Sequence, residues 1–244
     1  MYSDHQESFG NYTAILREEL VPAMGCTEPI AIAYAAAKAK ELLGEEPRHI
    51  TVDCSGNIIK NVKGVTVPNS GGQKGIAVAA VLGITGGDAS KELEVIAGAD
   101  DAARARCKEL VDAGFCEVNH AEDVPNLYIS AKIRGEAHSA EVVIEHHHTN
   151  IVRMTRDGVL VFSKEAEEEA AEAQAAANTA DRSAMTLRGI LDYANGVEIS
   201  EVSEVLARQI RYNSAISQEG LDHVWGAQIG KTMLEIWGNN VKTR

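Results

Sequence analysis

The stretch Gly25-Cys26-Thr27-Glu28-Pro29, followed by Ile30-Ala31-Ile32-Ala33-Tyr34-Ala35-Ala36-Ala37, reads as a turn opening into a helix that is apolar all round. Upstream, Tyr12, Ile15, Leu16 and Leu20 recur at helical spacing and predict a helix over 9–21, which Pro22 and Gly25 end. Thr27 is the expected N-cap of the second helix. Glu28 places a carboxylate in its first turn, and Pro29 occupies a position that needs no backbone N–H partner. Gly44 closes this helix, expected over 28–43, at the position where left-handed caps favour glycine. A helix without a polar face is buried, so its start and Cys26 are expected near the interior. The positive helix end and free amide donors would lower the Cys26 pKa and favour the thiolate, the form that ligates metals or attacks electrophiles. The bland reading of Cys26 is a small buried hydrophobe beside a good cap.

Working outward, strand signals occur at His49 to Cys54 and Ile58 to Lys60, and Gly71 to Gly86 reads as a Gly-rich loop leading into a close-packed helix. Helical periodicity returns between Lys91 and Ala113. Paired strands are expected at Asn126 to Ile133 and Ala140 to His146, joined at Gly135, with a hairpin from Ile151 to Phe162 turning at Asp157-Gly158. From Glu165 to Asn178 the chain contains only Glu, Ala, Gln and a final Asn, which reads as a solvated linker helix. Helices follow at Thr186 to Tyr193, Ser200 to Ser217 (capped by Ser200) and Leu221 to Trp237. The expected fold class is α+β: a mixed α/β domain with an antiparallel sheet over 1–162, then an all-helical segment over 163–244.

Composition narrows the function classes. The 244 residues are 45% hydrophobic, enough for a sizeable core, and 36 acidic against 23 basic residues give a net charge of −13. Without a Lys/Arg-rich run to track phosphates, nucleic acid is not an expected partner. The longest nearly apolar run, Ile30 to Ala37, is too short to span a bilayer, and no basic-then-apolar leader opens the chain, so a cytoplasmic protein without a membrane partner is expected. Four cysteines without a dense framework fit a reducing compartment.

Two further segments carry candidate chemistry. The loop Gly71-Gly72-Gln73-Lys74-Gly75 could cradle an anionic group such as a substrate carboxylate through its amides, although it has neither the P-loop nor the Rossmann pattern. In the run His146-His147-His148, strand alternation would turn His146 and His148 to one face, but two histidines rarely complete a zinc site. A neutral imidazole near pH 7 is a suitable proton carrier.

Leu20-Val21-Pro22-Ala23-Met24 with the pentapeptide, then Lys60-Asn61, Val67-Pro68, Gly71, Gly72 and Gly75, then His148-Thr149-Asn150-Ile151-Val152, occur in an order that resembles the L-cysteine desulfidase family over essentially the whole chain. That family is similar to the α chain of iron–sulfur-dependent L-serine dehydratases. The resemblance implies a carbon–sulfur lyase that eliminates sulfide from L-cysteine, giving pyruvate, ammonia and hydrogen sulfide at a [4Fe–4S] cluster with Cys26 as a ligand. His148 and Lys60 become candidates for proton transfer. Thr27, Glu28, Asn61, Gly71, Gly72, Thr149 and Asn150 become candidates for substrate binding, with the base unassigned among Lys60, Asn61 and His148. Family members are longer and carry further cluster cysteines toward the C-terminus, whereas Cys54, Cys107 and Cys116 here have no ferredoxin-like spacing and read as structural. The remaining ligands are then expected from a homo-oligomer or a complementary subunit. The alternatives are an incomplete, non-catalytic module and an L-serine dehydratase-like ammonia-lyase; no Schiff-base lysine context supports a pyridoxal-phosphate lyase.

Overall fold

The computed structural model describes residues 2–23, 25–164 and 180–238. Helix α1 (Tyr2–Glu19) is followed by α2 (Thr27–Leu43), β1 (His49–Cys54), α3 (Gly56–Val62), α4 (Ile76–Gly86), α5 (Asp101–Asp112), β2 (Cys116–His120), β3 (Tyr128–Arg134), β4 (Ser139–Glu145), β5 (Ile151–Arg156) and β6 (Val159–Ser163). Three further helices are α6 (Leu187–Gly196), α7 (Ile199–Asp222) and α8 (Ile229–Trp237). The α+β class is as expected. The chain divides into two compact units, Pro22–Ala177 and a second formed by Met1–Val21 with Asn178–Arg244. The boundary expected at 162/163 therefore moves, and α1 groups with the late helices rather than with the sheet. The linker helix expected over 165–178 lies outside the described residues.

In the unit Pro22–Ala177, α2 is buried from Pro29 to Ala37, as its composition requires, and Gly44 ends it in the left-handed conformation with its N–H on the Lys40 carbonyl. The small side chains of α2 let α4 approach very closely. A Cβ on Gly83 would collide with the Ala33 carbonyl oxygen, and the Lys40 ammonium donates to the Ile84 carbonyl at 2.7 Å. Both helices lie against a six-stranded sheet of order β2-β1-β3-β4-β5-β6. The strand pairs are antiparallel except β1 with β2, which is parallel. Alternate residues face the helices: Ile50 and Val52 in β1, Ile129 and Ile133 in β3, Val142 and Ile144 in β4, all essentially fully buried. Each contributes on the order of 1.5–3 kcal/mol through apolar burial. Between these, Lys132 bridges to Asp53 at 2.6 Å and Ser130 donates to Glu141 at 2.8 Å, tying neighbouring strands together through their polar positions.

Two local expectations are corrected. Ile58 to Lys60 is not a strand but part of α3, because Ser55 caps it by accepting from the Ile58 N–H and Ile58 and Val62 bury one face four residues apart. Helix α2 begins one residue earlier than expected, with Cys26 in the N-cap position and Thr27 inside the helix, so the Thr27 hydroxyl is free for another partner. The hairpin turn at Asp157-Gly158 is as expected, with both residues at positive φ.

The helical unit is held by α1 against α6 and α7. Tyr193 stacks on Tyr12 with ring centroids 5.3 Å apart, receives the edge of Phe9, and shares a 2.8 Å hydrogen bond with Thr13. Arg182 pairs with both Glu18 and Glu19, and Arg208 donates to the Leu20 carbonyl. Helix α7 starts with Glu198 as N-cap rather than Ser200, and the last helix starts at Ile229 rather than Leu221. Among the described residues, no helix is long and apolar enough to cross a membrane.

Candidate functional site

Five of the residues singled out by sequence converge in the unit Pro22–Ala177. The carboxylate of Glu28, in the first turn of α2, is the hub. It accepts from the Cys26 thiol at 3.1 Å, from the Asn61 amide at 3.2 Å, and weakly from the Thr27 hydroxyl at 3.5 Å. Thr27 in turn shares a 3.1 Å hydrogen bond with Nε2 of His148. A continuous polar chain therefore runs from a thiol through a carboxylate and a hydroxyl to an imidazole. Each member is half-buried.

Local structure explains the placement. Asn61 sits in the last turn of α3, whose cap at Ser55 is further anchored through its hydroxyl to the Asn126 carbonyl at 2.6 Å. His148 is carried by the connection between β4 and β5, a tight turn in which the His147 N–H meets the Glu145 carbonyl and the Asn150 amide also donates to it. Residues 146–148 are thus turn, not strand, and strand alternation does not apply to them: His146, at φ 65°, lies exposed beside Glu145 while His148 turns to Thr27.

The electrostatics correct the expected thiolate. Burial pushes the Cys26 thiol above its ordinary 9.0, and donating its proton to Glu28 pushes it the same way, against a smaller opposing contribution from a backbone N–H. Burial also works to raise Glu28. Hydrogen bonds from Cys26, the backbone and Asn61, with the nearby His148 imidazole, outweigh it and hold the carboxylate below its ordinary 4.5. Burial lowers His148 below 6.5, opposed by the Glu28 charge and aided by His147, so the imidazole is neutral at pH 7. The site rests as thiol, carboxylate and neutral imidazole, with two proton acceptors beside one donor.

The other candidates are placed differently. Lys60 is exposed next to Asn61, and its ammonium makes no hydrogen bond or ion pair among the described residues. Gly71 and Gly72, at φ 71° and 88°, form an exposed loop tip closed by the Val67 N–H on the Gln73 carbonyl. The base of this loop reaches the motif, since a Cβ on Gly25 would lie 4.0 Å from Pro68. Arg104 holds the loop from outside, donating to Asn69 Oδ1 at 2.8 Å, a positioning role that no spacing in the sequence announces. Asn150 turns away to Lys164 at 2.6 Å and lines a polar cavity of about 460 Å3 with Tyr128, His146 and Arg153; Thr149 precedes it in the same turn.

A [4Fe–4S] cluster held by thiolates needs more than this set provides. Cys26 is the sole cysteine of the network. Cys54 and Cys107 are buried in the core, where burial pushes them to about 12 and about 11. Cys116 opens β2, and burial also pushes it to about 12. Among the described residues no three His, Cys, Asp or Glu side chains are arranged to hold a metal ion. The residues present do not fit a complete cluster site.

Comparison with known proteins places the chain elsewhere than the motif resemblance did. A protein of Lachnoclostridium phytofermentans, named UPF0597 protein, is 44% identical over 230 residues, 94% of this chain and 54% of the relative. The chain is similar to UPF0597 proteins. One of Treponema denticola is 41% identical over 92% of this chain and 51% of its own, and one of Finegoldia magna 41% identical over 92% and 53%. The chain spans about half the length of the curated relatives it matches. No family model matches, and no solved structure matches. The resemblance to the L-cysteine desulfidase family is corrected accordingly: the relatives carry the UPF0597 name, and none links the chain to that family.

Proposed function

We propose that the network of Cys26, Thr27, Glu28, Asn61 and His148 is an acid–base site for α,β-elimination from a small β-substituted amino acid, with L-cysteine the first candidate and L-serine the second. The observation that supports this reading is the neutral His148 hydrogen-bonded to Thr27 and linked through it to a carboxylate–thiol pair. In the proposed reaction the imidazole removes the Cα proton, the C–S bond breaks with its electron pair leaving on sulfide, and that sulfide takes up protons. The resulting enamine tautomerises to an imine, which water hydrolyses to pyruvate and ammonia. Glu28 and Asn61 orient the amino group, and the Cys26 thiol is the nearby proton donor. No step is drawn through a cluster; one built on Cys26 needs further ligands from outside the described residues, and iron and acid-labile sulfide analysis of wild type against Cys26→Ala tests for it.

A second reading is that this chain supplies half of a site completed by further polypeptide, which the greater length of the relatives favours. The test is pyruvate release from L-cysteine and L-serine after anaerobic reconstitution, together with the imidazole signals of His148 in a proton-detected titration. His148→Ala is expected to lower turnover at least about a hundredfold, the usual scale of general-base effects. Turnover equal to wild type in that variant, or His148 signals that neither amino acid moves, would sink the proposal.

A further inference from the structure

The helical unit leaves its apolar surface unmatched. Apart from Val118 in β2 and Val159, Leu160 and Val161 in β6, every exposed large hydrophobic side chain among the described residues belongs to this unit. Its own core is small: Tyr12, Ile15, Tyr193 and Val202 cluster together with only partly buried neighbours around them. Helix α7 has 24 residues, yet Val202 and Val205 are its only buried ones among the described residues. Along it Ile199, Val202, Leu206 and Ile210 recur at three- and four-residue steps, a stripe built to be covered, but Ile199 is 77% and Ile210 64% exposed. The stripe borders a groove of about 620 Å3 walled by Leu16, Ile190, Tyr193 and Val197, all within this unit. An apolar patch of this kind on a folded unit marks an interaction surface.

The length of the relatives points to an occupant. The Lachnoclostridium phytofermentans protein matches 94% of this chain, but the match accounts for 54% of its own length, which leaves a remainder on the order of 200 residues, the size of a domain. The same proportion holds for the Treponema denticola and Finegoldia magna relatives. We propose that the α6–α7 groove of the helical unit is the docking surface for that remaining half of the polypeptide, which meets it with an apolar ridge rather than with ion pairs. The walls fit this chemistry: the groove residues are apolar apart from Ser203 and the Tyr193 hydroxyl, and the latter is already bonded to Thr13.

Hydrogen exchange reads the docking without requiring turnover. The full 244-residue chain is compared with the full-length Lachnoclostridium phytofermentans relative over the segments matching 187–216, with the segment matching α2 as the internal reference. Exchange in 187–216 is expected to be at least about tenfold slower in the full-length relative, while the buried α2 segment exchanges equally slowly in both. Equal rates in 187–216 would overturn the proposal. So would sedimentation showing the 244-residue chain to be a dimer whose 187–216 segment is already protected and loses that protection in the Ile199→Asp, Ile210→Asp double variant, since the occupant would then be a second copy.

Discussion

The two units of this protein handle their apolar surface in opposite ways. In Pro22–Ala177, α2 is enclosed between α4 and the sheet, and the inward residues of β1, β3 and β4 are sealed from water. In the helical unit, a single small cluster around Tyr193 holds α1, α6 and α7, and many of the other large apolar side chains, Ile199, Ile210 and Ile216 among them, are exposed. The first arrangement locks its side chains by packing, and it carries the network around Glu28. The second is what a surface looks like before its partner covers it.

Truncation in the two units sharpens this contrast most strongly. Ile144→Ala removes a fully buried side chain from β4 and is expected to destabilise its unit by about 2–5 kcal/mol, the cost of lost transfer plus a cavity. Ile199→Ala trims a side chain already 77% exposed and is expected to change stability by no more than about 0.5 kcal/mol in the 244-residue chain. Urea unfolding followed by circular dichroism measures both. Comparable losses in the two variants would mean that the helical unit is closed after all.

The same contrast governs what the sequence could reveal. Helix α2 was legible because composition alone dictates its burial, and Gly44 and Asp157-Gly158 were legible because glycine at positive φ has a local reason. Helix α3 was misread, since Ile58, Ile59 and Val62 suit a short buried strand as well as a short helix until the Ser55 cap is recognised. Strand β2 gave almost no signal: it is largely exposed, and it owes its existence to parallel pairing with β1 more than sixty residues away in the chain. The residue types that meet around Glu28 were legible, but their wiring was not. A helix start suggested a thiolate, whereas the side-chain geometry turns the Cys26 proton onto Glu28 two residues away. His148 joins through Thr27 across 121 residues of chain, a link that no local pattern encodes.

That wiring can be broken at its hub. Because burial and the Glu28 carboxylate both keep the Cys26 proton in place, Glu28→Gln is expected to lower the thiol pKa and speed alkylation of Cys26 by iodoacetamide at pH 8, approaching about tenfold for each unit of pKa lost. Cys54 and Cys107, buried in the core, are expected to remain unlabelled in the same reaction and so report that the fold is intact. Unchanged Cys26 labelling in Glu28→Gln would mean that the carboxylate does not hold the proton.

The smallest expected effect is in the pH dependence of the stability of the unit that bears the network. His148 is lowered below 6.5, so as pH falls through 6.5 the unfolded chain takes up a proton that the folded chain resists, and stability declines. Glu28 is lowered below 4.5, so the stability it contributes is present above that value and is lost as pH falls below it. Cys26 is raised above 9.0, so the unfolded thiol ionises first and stability declines again as pH rises through 9.0. The three shifts together predict a plateau between about pH 6.5 and 9 with a slope on each side. In Tm against pH, His148→Gln should flatten the first part of the acid slope; Cys26→Ser should make the alkaline slope shallower without abolishing it, because Cys54, Cys107 and Cys116 are raised by burial too. If neither slope is shallower in its variant than in the wild type, the titrating groups are the others of the unit, and the network does not couple protonation to its folding.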